Sequence, residues 1–461
     1  MEAIPFVYND AVRNRRLFIS IVFLFFFCLA ISFTVSGQQF RAAVVKVDIT
    51  PSDAQWLAGF SPRKSTGIHD RIYHRIIALD DGKSQFFLIS SDLVGIPMPV
   101  YDRTTALLKR KHKIDPLNIW WSATHNHSAP VIGPQFKGIP YSSMAGRRKL
   151  SEQHEIDTAY TAMIEQKLIE GVLEARARLA PARLGVGWGF SQANINRRAI
   201  DENGKASLGL NPDGPVDRRI GLLRIDKEDG SPLALIANYP IHGTVLGMHG
   251  SDLTTASLVI SGDAPGVVAE YVEQKIGAPM LFINGGAGNL APIYSVYPDP
   301  KSGHLDQFRV LLGDRILEAN KKIVFTTSMV KLNVGSLTLE TARRSDLGWS
   351  PDLGKYASAA NTGANMVRLP VHFLKINEEV AIWSAPVELF CEVANEVRDR
   401  SPFPYTFYFG YTNGSLGYLP TEAAWKEGGY EPSVSPFTPL AARDLTESVL
   451  GYLQGELRRA Y

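Results

Sequence analysis

Short apolar blocks separated by turn residues run along most of this chain, and their spacing predicts alternating strands and helices. Residues 42–50 (AAVVKVDIT) predict a strand closed by Pro51. Two apolar stretches, 74–79 and 85–91, flank Asp80-Asp81-Gly82-Lys83 and predict a hairpin. Residues 99–113 read as a helix and 118–123 as a buried strand. Residues 154–179 place Ile156, Tyr160, Met163, Ile164, Leu168 and Val172 on one helical face. A second hairpin joins 219–225 to 233–238 through Asp229-Gly230. The strand Met280 to Asn284 lies between helices at 264–276 and 305–322. A third hairpin joins 366–376 to 380–384, followed by a helix at 387–399, a strand at 405–411 and an amphipathic helix at 440–459. No repeat, low-complexity tract or linker interrupts the series. The pattern predicts the α/β class, as a single large domain with mixed β-sheets flanked by helices.

The N-terminus follows a different pattern. Arg13, Arg15 and Arg16 precede an apolar run, Leu17 to Val35, and the small residues Ser36 and Gly37 follow it. A charged segment, an apolar segment and small residues form the order of a signal peptide. The run is also long enough to span a bilayer. Residues 1–37 are therefore a signal peptide or an N-terminal membrane anchor, and 38–461 the folded domain. Either reading places the protein outside the cytoplasm: periplasmic, secreted or membrane-anchored, with membrane association possible through the N-terminal segment.

Composition narrows the function classes. With 48 basic and 46 acidic residues the net charge is +2, which predicts no nucleic-acid partner. The two cysteines are Cys28, inside the apolar run, and Cys391, so a processed chain has no internal disulfide.

Candidate chemistry lies just beyond predicted strands, where ligands gather in α/β sheets. Thr124-His125-Asn126-His127-Ser128 follows the strand ending near Ala123. Asn238-Tyr239-Pro240-Ile241-His242-Gly243-Thr244 follows the strand at 233–238, and Ser261-Gly262-Asp263 downstream can orient a ligand histidine. Ala385-Pro386-Val387-Glu388 follows the strand at 380–384. Read alone, Glu388 is equally a carboxylate at a helix N-terminus. Tyr418 and Tyr430 lie in a Gly/Pro-rich stretch, where aromatics usually pack. Two histidines and a carboxylate form a set that zinc accepts with a position left open.

These residues, in this order, resemble the neutral ceramidase family over roughly residues 42 to 440. Thr124 to Pro130 resembles that family's T-H-T-H-S-G-P loop. Asn238 to Thr244 and Ser261 to Gly266 are similar to its N-W-F-x-V-H-G-T and S-G-D-N-K-G segments. Pro386-Val387-Glu388 resembles P-G-E; Tyr418 to Thr421 and Tyr430-Glu431 resemble Y-V-T-T and Y-E-G. The resemblance implies the family's catalytic fold. It implies one zinc held by His125, His242, Glu388 and Tyr418, and leaves a structural calcium or magnesium open. It implies attack of zinc-bound water on the amide carbonyl of ceramide or a related N-acylated substrate. His127 is then the candidate general acid/base and Tyr430 the donor to the developing oxyanion. The N-R segment resembled by Asn196-Arg197 implies no assigned role.

Several positions depart from the family. A serine regarded as catalytic there is Ala291 here, and the acidic residue of the same segment is Asn289. Val387 replaces a glycine, and Trp425 a tyrosine. The chain ends near the close of the family's catalytic domain, so its C-terminal immunoglobulin-like domain is not expected. The route through metal and water survives these changes, whereas ceramide specificity does not follow from them. The alternatives are a metal-dependent hydrolase of an ester or carbohydrate-derived substrate, and a non-catalytic periplasmic binding protein. The sequence leaves the oligomeric state open.

Overall fold

Most of the predicted elements are present in the computed structural model, which describes Met1 and residues 39–60, 63–133, 158–246, 258–293, 305–360, 363 and 365–458. The apolar run at 17–35 lies outside the described residues. Among the described residues no helix is long and apolar enough to cross a membrane. Residues from Gln39 onward form one unit. The strands that position the site are β1 (Arg41–Asp48), β2 (Tyr73–Asp80), β3 (Gln85–Ser91), β4 (Ile119–Ala123), β5 (Ala180–Phe190), β6 (Arg219–Lys227), β7 (Pro232–Asn238) and β8 (Met280–Ile283). They form one mixed sheet in the order β8-β7-β6-β5-β1-β2-β3-β4. The β3–β4 and β7–β8 pairs are parallel and the others antiparallel.

This sheet is two halves joined at a corner. β1 meets β5 only through Arg41↔Pro181 and Ala42↔Ala180. The halves close over a shared core, in which Leu79, Phe86, Leu88 and Trp120 meet Leu223, Ile225, Ile236 and Leu281. Ser90 Oγ of β3 donates to the Phe282 carbonyl of β8 at 2.5 Å. A five-stranded sheet seals this core with Leu374, Ile382 and Phe407. Its main strands are β9 (Leu332–Ala342), β10 (Asn365–Ile376), β11 (Val380–Ser384) and, beyond the two-residue β12 (Glu388–Leu389), β13 (Tyr405–Phe409).

Helices cover the outer faces. α1 (Met98–His112) links β3 to β4. α2 (Thr158–Ala177) buries Ile164, Leu168 and Val172 with Val45 and Ile76. α3 (Asp263–Ile276) buries Val267, Val268 and Val272 against Leu235, Ala237, Met280 and Phe282. β7 thus sends Leu235 and Ala237 to α3 and Ala234 and Ile236 to the shared core, the period of two of a strand buried on both faces. Each fully buried aliphatic side chain contributes roughly 1.5–3 kcal/mol. α4 (Arg315–Lys321) extends a π-helical turn, Arg309–Asp314; α5 (Cys391–Arg400) and α6 (Ala441–Arg458) pack outside the five-stranded sheet.

Several elements differ from the expectations. β5 and β9 are long strands that the apolar pattern does not predict. The helix expected from residue 387 starts at Cys391, and Glu388 belongs to β12. Glu388 is therefore a strand residue, not a helix N-terminal carboxylate. β12 pairs in parallel with β14 (Tyr418–Leu419), which sets Glu388 opposite Tyr418.

A buried histidine makes the fold sensitive to acid. Trp121 Nε1 donates to Ser91 Oγ at 2.8 Å, Ser91 Oγ donates to His74 Nδ1 at 2.6 Å, and His74 Nε2 donates to the Ile164 carbonyl at 3.2 Å. A proton on Nδ1 reverses the middle bond and puts a charge where no solvent reaches. Burial accordingly pulls His74 from 6.5 to about 4. Between those values the unfolded chain holds a proton that the folded chain refuses, so stability falls as pH drops through this window and levels off below it. The effect is on the order of 3 kcal/mol. Urea midpoints measured across this pH range are expected to fall with acidification, and His74→Gln to flatten the slope.

Candidate metal centre

Five strand exits converge at one end of the sheets, and the side chains singled out in the sequence sit on four of their segments. Leaving β4, Thr124 N bonds the Ser91 carbonyl and His125 N the Leu93 carbonyl, both at 2.9 Å. Leaving β7, Gly243 bridges this loop: His127 N donates to Gly243 O at 2.8 Å and Gly243 N to His125 O at 3.1 Å. The approach admits no side chain, since a Cβ on Gly243 would lie 2.5 Å from Asn126 Cα. Beyond β8, Asn284 holds both loops. Its Nδ2 donates to the carbonyls of Thr124 (3.1 Å) and Ile241 (2.7 Å), and its Oδ1 accepts from Ile241 N at 3.0 Å.

Side-chain geometry fixes the tautomers of two imidazoles. His125 Nδ1 donates to the Val94 carbonyl at 2.6 Å and His242 Nδ1 to the Leu290 carbonyl at 2.8 Å. Both Nε2 atoms therefore present lone pairs. Glu388 Oε2 lies 3.2 Å from His125 Nε2 and 3.6 Å from His242 Nε2. His242 Nε2 and Glu388 Oε2 are fully buried with no hydrogen-bond partner. Three lone pairs at these separations, with no proton between them, repel one another unless a cation joins them. Donors around a tetrahedral zinc at about 2.0–2.2 Å lie roughly 3.3–3.6 Å apart. The donor set and its spacing fit zinc.

His127 completes a cluster in which one ligand nitrogen from each of His125, His127 and His242 lies within 4.8 Å of the others. Its Nε2 is 3.4 Å from His125 Nε2, and its Nδ1 is buried without a partner. Gly59 presses on this ring; at φ +91° a Cβ there would be 2.3 Å from Nδ1. Tyr418 Oη accepts from an Arg197 guanidinium nitrogen at 3.1 Å. The Tyr430 ring lies 5.7 Å from that of Tyr418. The structure thus brings His125, His127, His242 and Glu388 together, sets Tyr418 opposite Glu388 and places Tyr430 against Tyr418.

The electrostatics suit cation binding. Burial, reinforced by Arg197 and His125, pulls His242 down to about 3. Burial, then the neighbouring imidazoles, also pulls His127 well below its ordinary value. Both are neutral donors at neutral pH.

Three contributors escaped the sequence reading, and a fourth, Arg197, was named there without a role. Asn284 is the clasp. The Leu290 carbonyl orients His242, whereas Asp263, expected in that role, accepts from the backbone N–H groups of Val245, Leu246 and Ala264. Tyr411 stacks on His125 with ring centroids 4.0 Å apart, and its hydroxyl is buried without a partner. Arg197 is held by buried Glu431 (2.9 Å) and reaches the Gly288 carbonyl as well as Tyr418. The departures have structural uses: Asn289 bridges Glu392 and the Cys391 N–H, and Ala291 lies on a short strand against Ile195.

The sequence pattern of the N-terminal domain of neutral/alkaline non-lysosomal ceramidases matches residues 40–337. The chain belongs to this ceramidase family. It is similar to a neutral ceramidase of Mycobacterium tuberculosis, 27% identical over 261 residues, covering 54% of this chain and 37% of that protein. It is also similar to neutral ceramidase B of Dictyostelium discoideum, 25% identical over 252 residues, covering 53% and 33%. The match thus spans about a third of the length of these curated relatives. The crystal structure of neutral ceramidase from Pseudomonas aeruginosa has the same fold, with a TM-score of 0.70 at 19% identity over 92% of this chain and 75% of that one. A structure described as ceramidase complexed with C2 superposes similarly, with a TM-score of 0.69 at 18% identity over 92% and 76%. The fold of this ceramidase-family chain is therefore the α/β arrangement of mixed sheets and helices that its sequence predicts.

The clasp can be tested directly. Asn284→Ala leaves two carbonyls and the Ile241 N–H buried and unpaired, at about 1–3 kcal/mol each. The variant is expected to unfold at lower urea and to retain less zinc on dialysis, measured by elemental analysis.

Proposed function

We propose that the chain is a zinc-dependent amidohydrolase acting on ceramide or a related N-acylated substrate outside the cytoplasm. The observation that carries this reading is the pair of buried, unpartnered atoms, His242 Nε2 and Glu388 Oε2, beside His125 Nε2. Family membership and the names of the relatives support the substrate class. His125, His242 and Glu388, with Tyr418, would hold the ion. Bound there, zinc supplies Lewis acidity and makes hydroxide available near neutral pH.

The chain's own groups divide the remaining work. His127, neutral and buried against the cluster, takes up a proton and delivers it to the departing amine. Tyr430 and the unpartnered Tyr411 hydroxyl are donors available to oxygen that gains charge as the carbonyl is attacked. Arg197, anchored by Glu431, fixes the phenol of Tyr418. Ala291 offers no hydroxyl, so the reaction proceeds without a nucleophile at that position.

Fatty acid release from an N-acyl sphingosine, followed with chelated and zinc-restored protein, tests this reading. His242→Ala is expected to lose both zinc and activity. His127→Ala is expected to keep its zinc and lose about 10²–10⁴ in kcat. Tyr411→Phe is expected to lower kcat while leaving zinc content intact. Zinc-loaded protein that turns over esters or glycans but no N-acyl amide would overturn the substrate assignment.

A further inference from the structure

An apolar tip stands at the far end of the molecule from the metal centre. After α4 the chain turns through residues 323–331. Ile323 is buried, but Val324, Phe325 and Met329 are 93%, 74% and 82% exposed. So much apolar surface on one turn marks an interaction site more often than an accident of packing. The turn is firmly based. Thr327 and Leu184 of β5 exchange both backbone hydrogen bonds, at 2.8 and 2.9 Å. Arg183 Nε donates to Thr326 Oγ1 at 3.1 Å, and Asn377 Nδ2 to the Met329 carbonyl at 3.1 Å. Exposed Lys321, Lys322 and Lys331 flank the tip. Of the acidic groups nearby, Asp81 accepts from Leu332 N and Glu378 pairs with Lys375, while Glu379 is exposed.

The point where the chain joins the fold supplies an independent observation. Ala182 N donates to the Phe40 carbonyl at 3.0 Å. Ala182 and Leu184 are neighbours on one face of β5, so Phe40 and the tip share one edge, roughly 7 Å apart along the strand. In the sequence, Ser36, Gly37, Gln38 and Gln39 separate the apolar run Leu17 to Val35 from Phe40.

We propose that Val324, Phe325 and Met329 dip into the interfacial layer of a lipid bilayer while Lys321, Lys322 and Lys331 meet anionic headgroups. Apolar side chains flanked by lysines suit that boundary, where lysine stems lie along apolar surface and their charges stay at headgroup level. The docking surface is separate from the metal centre and does not depend on which amide the site cleaves.

Spin labelling of the full chain tests the proposal. In a Cys28→Ser background, with Cys391 buried, a nitroxide is placed at Phe325→Cys or, as a reference near the metal centre, at Glu422→Cys. The protein is reconstituted with phosphatidylcholine–phosphatidylglycerol vesicles. The expected result is greater accessibility to oxygen than to a water-soluble nickel chelate at 325, and the reverse at 422. Combining Lys321→Glu, Lys322→Glu and Lys331→Glu is expected to shift 325 towards nickel accessibility. Nickel access at 325 in vesicles overturns the proposal. So does shielding from both reagents, which would mean that protein covers the tip, and dipolar broadening between labels, which would mean that a second copy does.

Discussion

The side-chain amide of Asn284 bears on everything at the metal centre. One loop carries His125 and His127 out of the first half of the large sheet, and another carries His242 out of the second half. Neither loop is joined to the other by regular secondary structure beyond a single bridge at Asn126 and Gly243. A planar amide with two donors and two acceptor lone pairs meets the polar backbone of both at once. With Asn284 in place, the loops need no solvent to satisfy their backbone groups, and the imidazoles can sit in a buried site.

That burial sets the chemistry. In water, two imidazoles and a carboxylate would each be hydrated and indifferent to one another. Removed from water and stripped of protons on the facing atoms, they form a concentrated patch of lone pairs that favours a cation. The carbonyls of Val94 and Leu290 make this possible by taking the protons on the far side of each ring. Backbone strain accompanies the arrangement: His125 and Tyr411, stacked on each other, both have positive φ, at 60° and 54°. Non-glycine residues in such conformations persist only when surrounding contacts hold them there, and those contacts are commonest at functional sites.

Much of this was legible in the sequence because strand exits announce themselves. Apolar runs ending in Thr124-His125, in Tyr239 to His242 and in Ala385 to Glu388 mark where chemistry can emerge, and those residues do meet. The failures have physical reasons. β5 carries glycines at 185, 187 and 189, which argue against a strand by propensity, yet they clear one face for Ile323 and Ala319 to pack closely. β9 exposes polar residues along much of its length and takes its place from pairing with β10. The pairing of β12 with β14 makes Glu388 a strand residue, a fact held in a segment distant in sequence. Asn284 and Tyr411 were invisible, and Arg197 was visible without a role, for the same reason: an asparagine at a strand end becomes a clasp only when two remote loops arrive beside it.

The clustered side chains come from residues 125, 127, 242 and 388, so the site exists only after much of the chain has found its place. In the unfolded chain the same side chains are dispersed along loops too long to gather around one ion. An ion that binds only the assembled arrangement adds its binding free energy to folding. A metal ion held there would therefore act as a reversible cross-link among three distant segments.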